Sequence, residues 1–344
     1  MAQMLERYVY KNQKKMRCGY TTGTCAAAAA KAAAQMLLSG RKVTEVSVRT
    51  PPDITLTLPV CEIQMKAHAV SCAVQKDSGD DPDITNKILI FAEVSYIYNS
   101  SNIVNDTAAV KPQIIVDGGV GIGRITKKGL ARPVGAAAIN PVPLKMIEAA
   151  LKETAEAFGY EGGLQAGISA PQGGGIAKKT FNPQLGITGG ISILGTSGIV
   201  EPMSEQALID TIRTEMKMHL ADGEQTLLIT PGNYGQDFLH ETLKIELKRS
   251  IKCSNFIGDT IDMGCELGAK GMLFVGHIGK LVKLGAGIMN THSKMADGRM
   301  EILAACAVRA GAGIEAVRNI LDCVTTDAAL ELLKNEKILG KTME

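Results

Sequence analysis

Four short loops of glycine and small polar residues carry most of the chemistry this sequence can offer. They read Leu194-Gly-Thr-Ser-Gly198, Thr230-Pro-Gly-Asn-Tyr-Gly235, Cys253-Ser-Asn-Phe-Ile-Gly258 and Val275-Gly-His-Ile-Gly-Lys280. Each comes after a short apolar, β-like run. Glycine tolerates positive φ and lets backbone amides approach a ligand closely. In a parallel α/β sheet, ligands bind at the carboxyl ends of the strands. Four such loops on one edge would therefore form a nucleotide-sized pocket. Any one of them alone is ordinary turn chemistry.

Two histidines stand in similar settings. His277 lies on the last of the loops, and His292 sits in Asn290-Thr-His-Ser293, ahead of a helix-like run with Asp297 and Arg299. A lone histidine is more often a satisfied structural group than a catalyst, and spacing assigns no Ser-His-Asp or Cys-His set. Asp259 and Asp262 fall three apart and share a helix face, a pattern just as common on a solvated surface. The segment Asp117-Gly-Gly-Val-Gly-Ile-Gly-Arg124 lacks the longer gap of GxGxxG, so it is not read as a dinucleotide fingerprint. No GxxxxGK[ST] loop is present either. The chain from its last residue onward is basic: Arg124, Lys127, Lys128 and Arg132, with Lys178 and Lys179 further on. Such patches suit carboxylates, although a solvated surface explains any single lysine equally well.

The elements that must position these groups differ between the two halves. Cys18-Gly-Tyr-Thr-Thr-Gly-Thr24 feeds an alanine run ending at Ser39-Gly40, which predicts a helix with Gly40 as its C-cap. Alternating β-branched residues from Val43 to Leu58, turning at Pro51-Pro52-Asp53, predict a hairpin. Ile88–Val94 and Ile114–Val116 read as further strands, with 75–86 and 99–110 as polar connections. This half suggests an α+β sheet with helices on one face. Beyond it the pattern alternates: Ile191–Leu194, Thr226–Thr230, Lys252–Ser254 and Met272–Val275 as strands, each leading into a helix-like stretch, one of them running from Ser204 to Leu220. That is the signature of a parallel sheet with helices on both faces. The boundary is placed near the Gly-Pro-rich segment 171–190.

Composition excludes several classes. With 37 Lys and Arg against 35 Asp and Glu, the formal charge of +2 is too small for a dedicated nucleic-acid binder. No Trp and 4 % aromatics remove the stacking platforms that single strands prefer. The N-terminal stretch is charged throughout and does not read as a secretory signal. The first long apolar run, Cys25 to Leu38, is mostly alanine and falls short of the roughly 20 strongly apolar residues of a membrane span. Eight cysteines without a CxxC pair suggest reduced thiols in a cytoplasmic protein rather than a disulfide framework, zinc or iron–sulfur site.

The segment Cys18-Gly-Tyr-Thr-Thr-Gly-Thr-Cys-Ala-Ala-Ala-Ala-Ala-Lys31 resembles the N-terminal signature of the cobalt-precorrin-5B C(1)-methyltransferases, the CbiD family of anaerobic cobalamin synthesis. Gly118-Gly-Val-Gly-Ile-Gly-Arg124, Ala138-Ile-Asn-Pro-Val-Pro143, Lys178-Lys-Thr-Phe-Asn-Pro183 and Gly189-Gly-Ile-Ser-Ile-Leu-Gly195 extend the likeness. Ser254-Asn-Phe-Ile-Gly258, Gly276-His-Ile-Gly-Lys-Leu-Val-Lys283 and Asn290-Thr-His-Ser293 continue it to about residue 305. The turn Pro171-Gln-Gly-Gly-Gly-Ile176 departs from the family pattern, in which acidic residues come after the glycines, and is given no catalytic role.

The resemblance implies a mixed α/β fold, a two-layer α+β part (1–185) and then a Rossmann-like three-layer α/β part (186–344). It implies methyl transfer from S-adenosylmethionine to C1 of a cobalt-bound tetrapyrrole, giving cobalt-precorrin-6A and S-adenosylhomocysteine. The cobalt would arrive with the substrate, with no protein-bound metal, no nucleic acid and no membrane, and a homo-oligomer is left open. On that basis the donor is expected at Gly195, Thr196, Ser197 and Gly198 together with Gly232, Asn233, Tyr234 and Gly235. Substrate carboxylates are expected at Arg124, Lys128 and Lys179, aided by Thr22 and Thr24 at the start of the alanine helix. His292 is expected to assist proton movement and His277 to touch donor or macrocycle. Two rival readings are a nicotinamide- or flavin-dependent tetrapyrrole reductase and a non-enzymatic tetrapyrrole carrier.

Overall fold

The computed structural model describes residues 5–11, 13–97 and 113–344. The protein is a mixed α/β chain of two compact units, Met1–Ser204 and Glu205–Glu344. In the first, the alanine run forms helix α1 (Thr22–Ser39), capped at its start by the Thr21 hydroxyl, which accepts the Thr24 N–H. Gly40 ends it at φ 69, in the left-handed region, with its N–H donating to Met36. A residue with a Cβ would be strained there, which is why the expected C-cap holds. Every alanine of α1 is buried, because so small a side chain lets the helix backbone approach its neighbours. Those neighbours are helix α2 (Pro141–Ala157) and a five-stranded sheet.

The sheet runs Cys61–Met65, Ala69–Gln75, Leu89–Ile97, Gly163–Ser169, Ile114–Gly118 in spatial order. All its pairs are antiparallel except the last. Along the middle strand Ile90, Ala92 and Val94 are buried while Glu93 is exposed, the period of two that covers one face. Glu45–Arg49 and Thr55–Pro59 form the expected hairpin, with Asp53 at φ 63 in its turn. The expected connection at 99–110 lies outside the described residues.

The glycine-dense segments serve packing. A Cβ on Gly121 would overlap the Ala170 carbonyl, and one on Gly190 would overlap that of Gly121. Three strands of backbone, around 118–123, 170–173 and 189–190, thus lie against each other where side chains would part them, the second leading into the short helix α3 (Gly173–Ala177).

The second unit carries three parallel strands in the order Ser250–Lys252, Thr226–Thr230, Gly271–Phe274. α4 (Glu205–Ala221) runs ahead of them, and α5 (Asn233–Glu241), α6 (Ile257–Glu266) and α7 (Ile278–Leu281) run between and after them. Leu227, Ile229, Ile251, Met216 and Ile257 are at the centre of this core. Four more helices, α8 (Arg299–Arg309), α9 (Ile314–Leu321), α10 (Thr326–Asn335) and α11 (Leu339–Met343), build a separate small core on Leu303, Ala307, Ile320 and Leu333. The β-α alternation of the sequence does not announce this helical cluster.

Two expectations change. Ile191–Leu194 does not open the parallel sheet: Ile191 bridges Ile122 and Ile193 bridges Ile139, both in the first unit. Ile199–Val200 pairs there with Gly19–Tyr20. These pairings hold residues 186–204 to the first unit, so the division falls after Ser204 rather than at 185. No described helix is long and apolar enough to cross a membrane.

Candidate active site

Because the three strands of the second unit point the same way, their carboxyl ends gather the loops 231–235, 253–256 and 275–280. Gly232, extended at φ 175, precedes α5, whose first turn has neither a side-chain cap nor an acidic residue. A helix start of this kind presents unpaired N–H groups and partial positive charge. Two lysines reinforce it. Lys252 Nζ donates to Asn233 Oδ1 at 2.5 Å, and Lys280 Nζ donates to the Pro231 carbonyl at 2.6 Å. Burial holds the Lys280 ammonium below the ordinary lysine range, and neighbouring Lys252 and Lys283 push the same way. Gly235 lets α5 start against the neighbouring strand, since a Cβ there would overlap the Val275 carbonyl.

His277 caps α7: its Nδ1 accepts the Gly279 N–H at 3.1 Å, which assigns the proton of the neutral ring to Nε2. That Nε2 lies 3.4 Å from the carboxylate of Asp327, at the start of α10. Its ring is 5.3 Å, centroid to centroid, from that of Tyr234, which is 75 % exposed. Both nitrogens of His277 thus face protein groups, and its exposed companion is an aromatic ring.

His292 is exposed, and its Nδ1 accepts the Lys294 N–H at 3.1 Å. Asp297, five residues on, is paired with Arg299 at 2.7 and 3.0 Å. The segment is organised by Lys283, 3 % exposed, whose Nζ donates to the carbonyls of Ala296 at 2.8 Å and Thr291 at 3.3 Å.

The remaining expected residues belong to the first unit. Gly198 and its neighbours clamp α1: the Gly198 carbonyl accepts the Thr21 N–H and the Thr24 hydroxyl, at 3.0 and 2.7 Å. Thr22 donates to the Leu194 carbonyl and accepts the Leu194 N–H. Both threonines are buried and committed inward, so neither offers a hydroxyl to a ligand. Gly195 packs on the Thr21 side chain and Gly198 on Thr24 and Thr50. Ser197 bonds to Ile199, and only Thr196 of this turn is exposed. The turn 195–198 is therefore better read as the seat of α1 than as a donor loop. Arg124 is spent on Asp117, with Nη1 to Oδ1 at 2.7 Å and Nη2 to Oδ2 at 2.9 Å. Lys128 and Lys179 are exposed. A groove of about 370 Å³ between α1, α2 and the turn at Thr50 takes none of these residues. Its Lys31 pairs with Glu153 and its Arg49 with Asp53, so those charges are already matched.

The CbiD family model matches residues 9–202, and the model of the CbiD C-terminal domain matches residues 290–344. The chain belongs to the CbiD family. It is 50 % identical over 332 residues to the cobalt-precorrin-5B C(1)-methyltransferase of Ruminiclostridium cellulolyticum, covering 96 % of this chain and 83 % of that one. The protein of the same name from Alkaliphilus metalliredigens is 48 % identical, at 96 % and 84 % coverage. Among solved structures, the cobalamin biosynthesis protein (cbiD) of Archaeoglobus fulgidus is 26 % identical, with 84 % of this chain and 86 % of that one aligned at a TM-score of 0.43.

In this CbiD-family chain the sequence reading overlooked Lys252, Lys280, Lys283 and Asp327. Lys280 and Lys283 stand three apart in a segment already singled out, and that spacing places them on one side of a helical turn. Asp327 lies two residues past the cap Thr325, which bonds the Ala328 N–H. Its approach to His277, fifty residues earlier, depends on tertiary packing that no local pattern encodes.

Proposed function

We propose that this chain methylates C1 of cobalt-precorrin-5B, with S-adenosylmethionine as donor and cobalt-precorrin-6A and S-adenosylhomocysteine as products. The observation that carries this reading is near-complete coverage by relatives half identical to it and named for that reaction. The donor is assigned to the carboxyl edge of the second unit. The uncapped start of α5, Lys280 and Lys252 suit its carboxylate, and the Tyr234 and His277 rings suit its adenine.

Transfer from a sulfonium is an in-line displacement. The electron pair of the acceptor carbon forms the new C–C bond as the C–S bond breaks, and the departing pair stays on the sulfur of S-adenosylhomocysteine. Such a step asks mainly for orientation. His277, with both ring nitrogens facing protein groups, fits a contact and positioning role. His292 is exposed and its Nδ1 accepts the Lys294 N–H, which leaves the proton of the neutral ring on Nε2, so it is the residue placed to give a proton and take it back. Cobalt is part of the substrate. Eight unbridged cysteines accord with a reducing cytoplasm.

An anaerobic assay with cobalt-precorrin-5B and S-adenosylmethionine, read by mass spectrometry, should show gain of one methyl group and matching S-adenosylhomocysteine. Flavin absorbance in the purified protein would point to the reductase instead. Macrocycle binding without any titration heat from either adenosyl compound would point to the carrier.

A further inference from the structure

Arg132 has an unmet bond: its Nε, among the described residues, is a buried side-chain nitrogen without a hydrogen-bond partner. The neighbouring carboxylate is turned to another partner. Asp117 feels the charge of Arg132, yet both of its oxygens are taken by Arg124, which also donates to the Gly118 carbonyl at 2.5 Å. The carboxylate pairs with Arg124 alone, which leaves Arg132 without an ion pair among the described residues, and Lys127 and Lys128 add to the positive excess. A buried N–H of this kind is costly to leave unmade, and a guanidinium fork suits a carboxylate geometrically.

The surroundings narrow the ligand. Residues 123–125 pair with 135–138 through Ala138 to Gly123, Ile125 to Ala136 and Gly135 to Ile125. This pairing sets the glycine segment beside the Arg132 loop. Each presents an exposed valine, Val120 at 72 % and Val134 at 54 %. Exposed apolar side chains on these two segments, one of which carries the unmatched guanidinium, fit an apolar ring system edged with carboxylates better than a small inorganic anion.

We infer that Arg132 binds a side-chain carboxylate of the tetrapyrrole, with Val120 and Val134 against the macrocycle and Arg124 holding the loop rather than the ligand. This rests on the substrate reading above. The test is titration of the full chain with two probes: cobyrinic acid, a cobalt corrin with free carboxylates, and its fully methyl-esterified form. In Arg132→Ala the affinity for the free acid should fall roughly ten- to hundred-fold, since a charge-assisted bond is lost. Affinity for the ester and for S-adenosylhomocysteine should stay as in wild type. Arg132→Lys should recover part of the loss, because an ammonium keeps the charge without the fork. Free-acid binding that is unchanged in Arg132→Ala overturns the assignment and leaves the substrate reading standing. So does a lowered unfolding midpoint with equal losses for every ligand, which would make the residue structural. A wild-type chain that ignores both corrins overturns the substrate reading itself.

Discussion

Lys280 Nζ donates to the Pro231 carbonyl at 2.6 Å, so the first turn of α7 is tied to the loop leaving the central strand of the second unit. The same ammonium lies beside Gly232, where a Cβ would be 3.5 Å away. One cation thus braces two strand ends and faces the proposed donor loop. Lys280→Ala should weaken S-adenosylhomocysteine binding roughly ten- to hundred-fold and cost about 1–3 kcal/mol of stability. Calorimetric titration with parallel denaturation checks both. Unchanged ligand affinity with lowered stability would leave Lys280 a strut alone.

Glycine substitutions should separate the two expected donor loops. Gly195 sits at φ 129 against the Thr21 side chain. Gly195→Val should therefore unseat α1 and lower the unfolding midpoint, whatever it does to the donor. Gly232 is extended, and a Cβ there would meet only the flexible end of Lys280. Gly232→Ala should keep the midpoint while reducing donor affinity. Thermal scans with and without S-adenosylhomocysteine distinguish these outcomes.

The histidines should split in kinetics. His292→Ala is expected to lower turnover by roughly 10²–10⁴, the usual worth of a proton-transfer group, with donor affinity close to normal. His277→Ala should raise the dissociation constant of the donor, and Asp327→Asn should do so more weakly. Steady-state rates under anaerobic conditions, with varied donor, give the answer. Full turnover in His292→Ala would leave orientation as the whole mechanism.

Glu215 on α4 offers a pH test of the second unit. Burial pushes its carboxyl up to about 6 from an ordinary 4.5, against the pull of the Lys252 backbone N–H. A raised folded-state value means the protonated form suits the fold. Its contribution is complete below about 4.5 and is lost as pH rises through about 6. The difference is on the order of 2 kcal/mol. Glu215→Gln, which can still accept that N–H, should stabilise the chain by about 1–2 kcal/mol at pH 8 and by almost nothing at pH 4. Urea midpoints at the two pH values decide it.

Lys76, 2 % exposed, donates to Ser78 Oγ and Asp83 Oδ2, each at 2.5 Å. Asp83 in turn accepts the Thr85 N–H and hydroxyl, so the buried ammonium anchors the loop after its strand. Lys76→Met should cost about 3–5 kcal/mol, because it leaves a largely buried carboxylate without its cation. Adding Asp83→Asn should restore much of that. Additive losses in the double variant would contradict the pairing.

The alternation of Val43–Leu58, the alanine helix with its Gly40 cap and the strand Thr226–Thr230 were legible because periodicity and capping are local. The family signature was legible for the same reason: its residues are contiguous. What failed was long-range. Ile191–Leu194 reads as a strand in any context, and only its pairing with Ile122 and Ile139 shows which unit owns it. Thr22 and Thr24 look like ligand-facing hydroxyls until Leu194 and Gly198, some 170 residues later, take their hydrogen bonds. Arg124 looks ligand-facing until Asp117, at the start of the same glycine run, takes its guanidinium.

A helix built from alanine is a nearly smooth rod. Eight alanines give α1 little shape to stop it rotating about its axis or sliding along it, and neighbouring registers would bury almost the same area. The three threonines at its head, bonded to Leu194 and Gly198, act as the key in the shaft. The segment that fastens the head of this buried helix is thus contributed by residues made some 170 positions later. Until they arrive, Cys72 and Tyr96 can hold α1 through the Ala29 and Leu37 carbonyls, but its head stays unfastened.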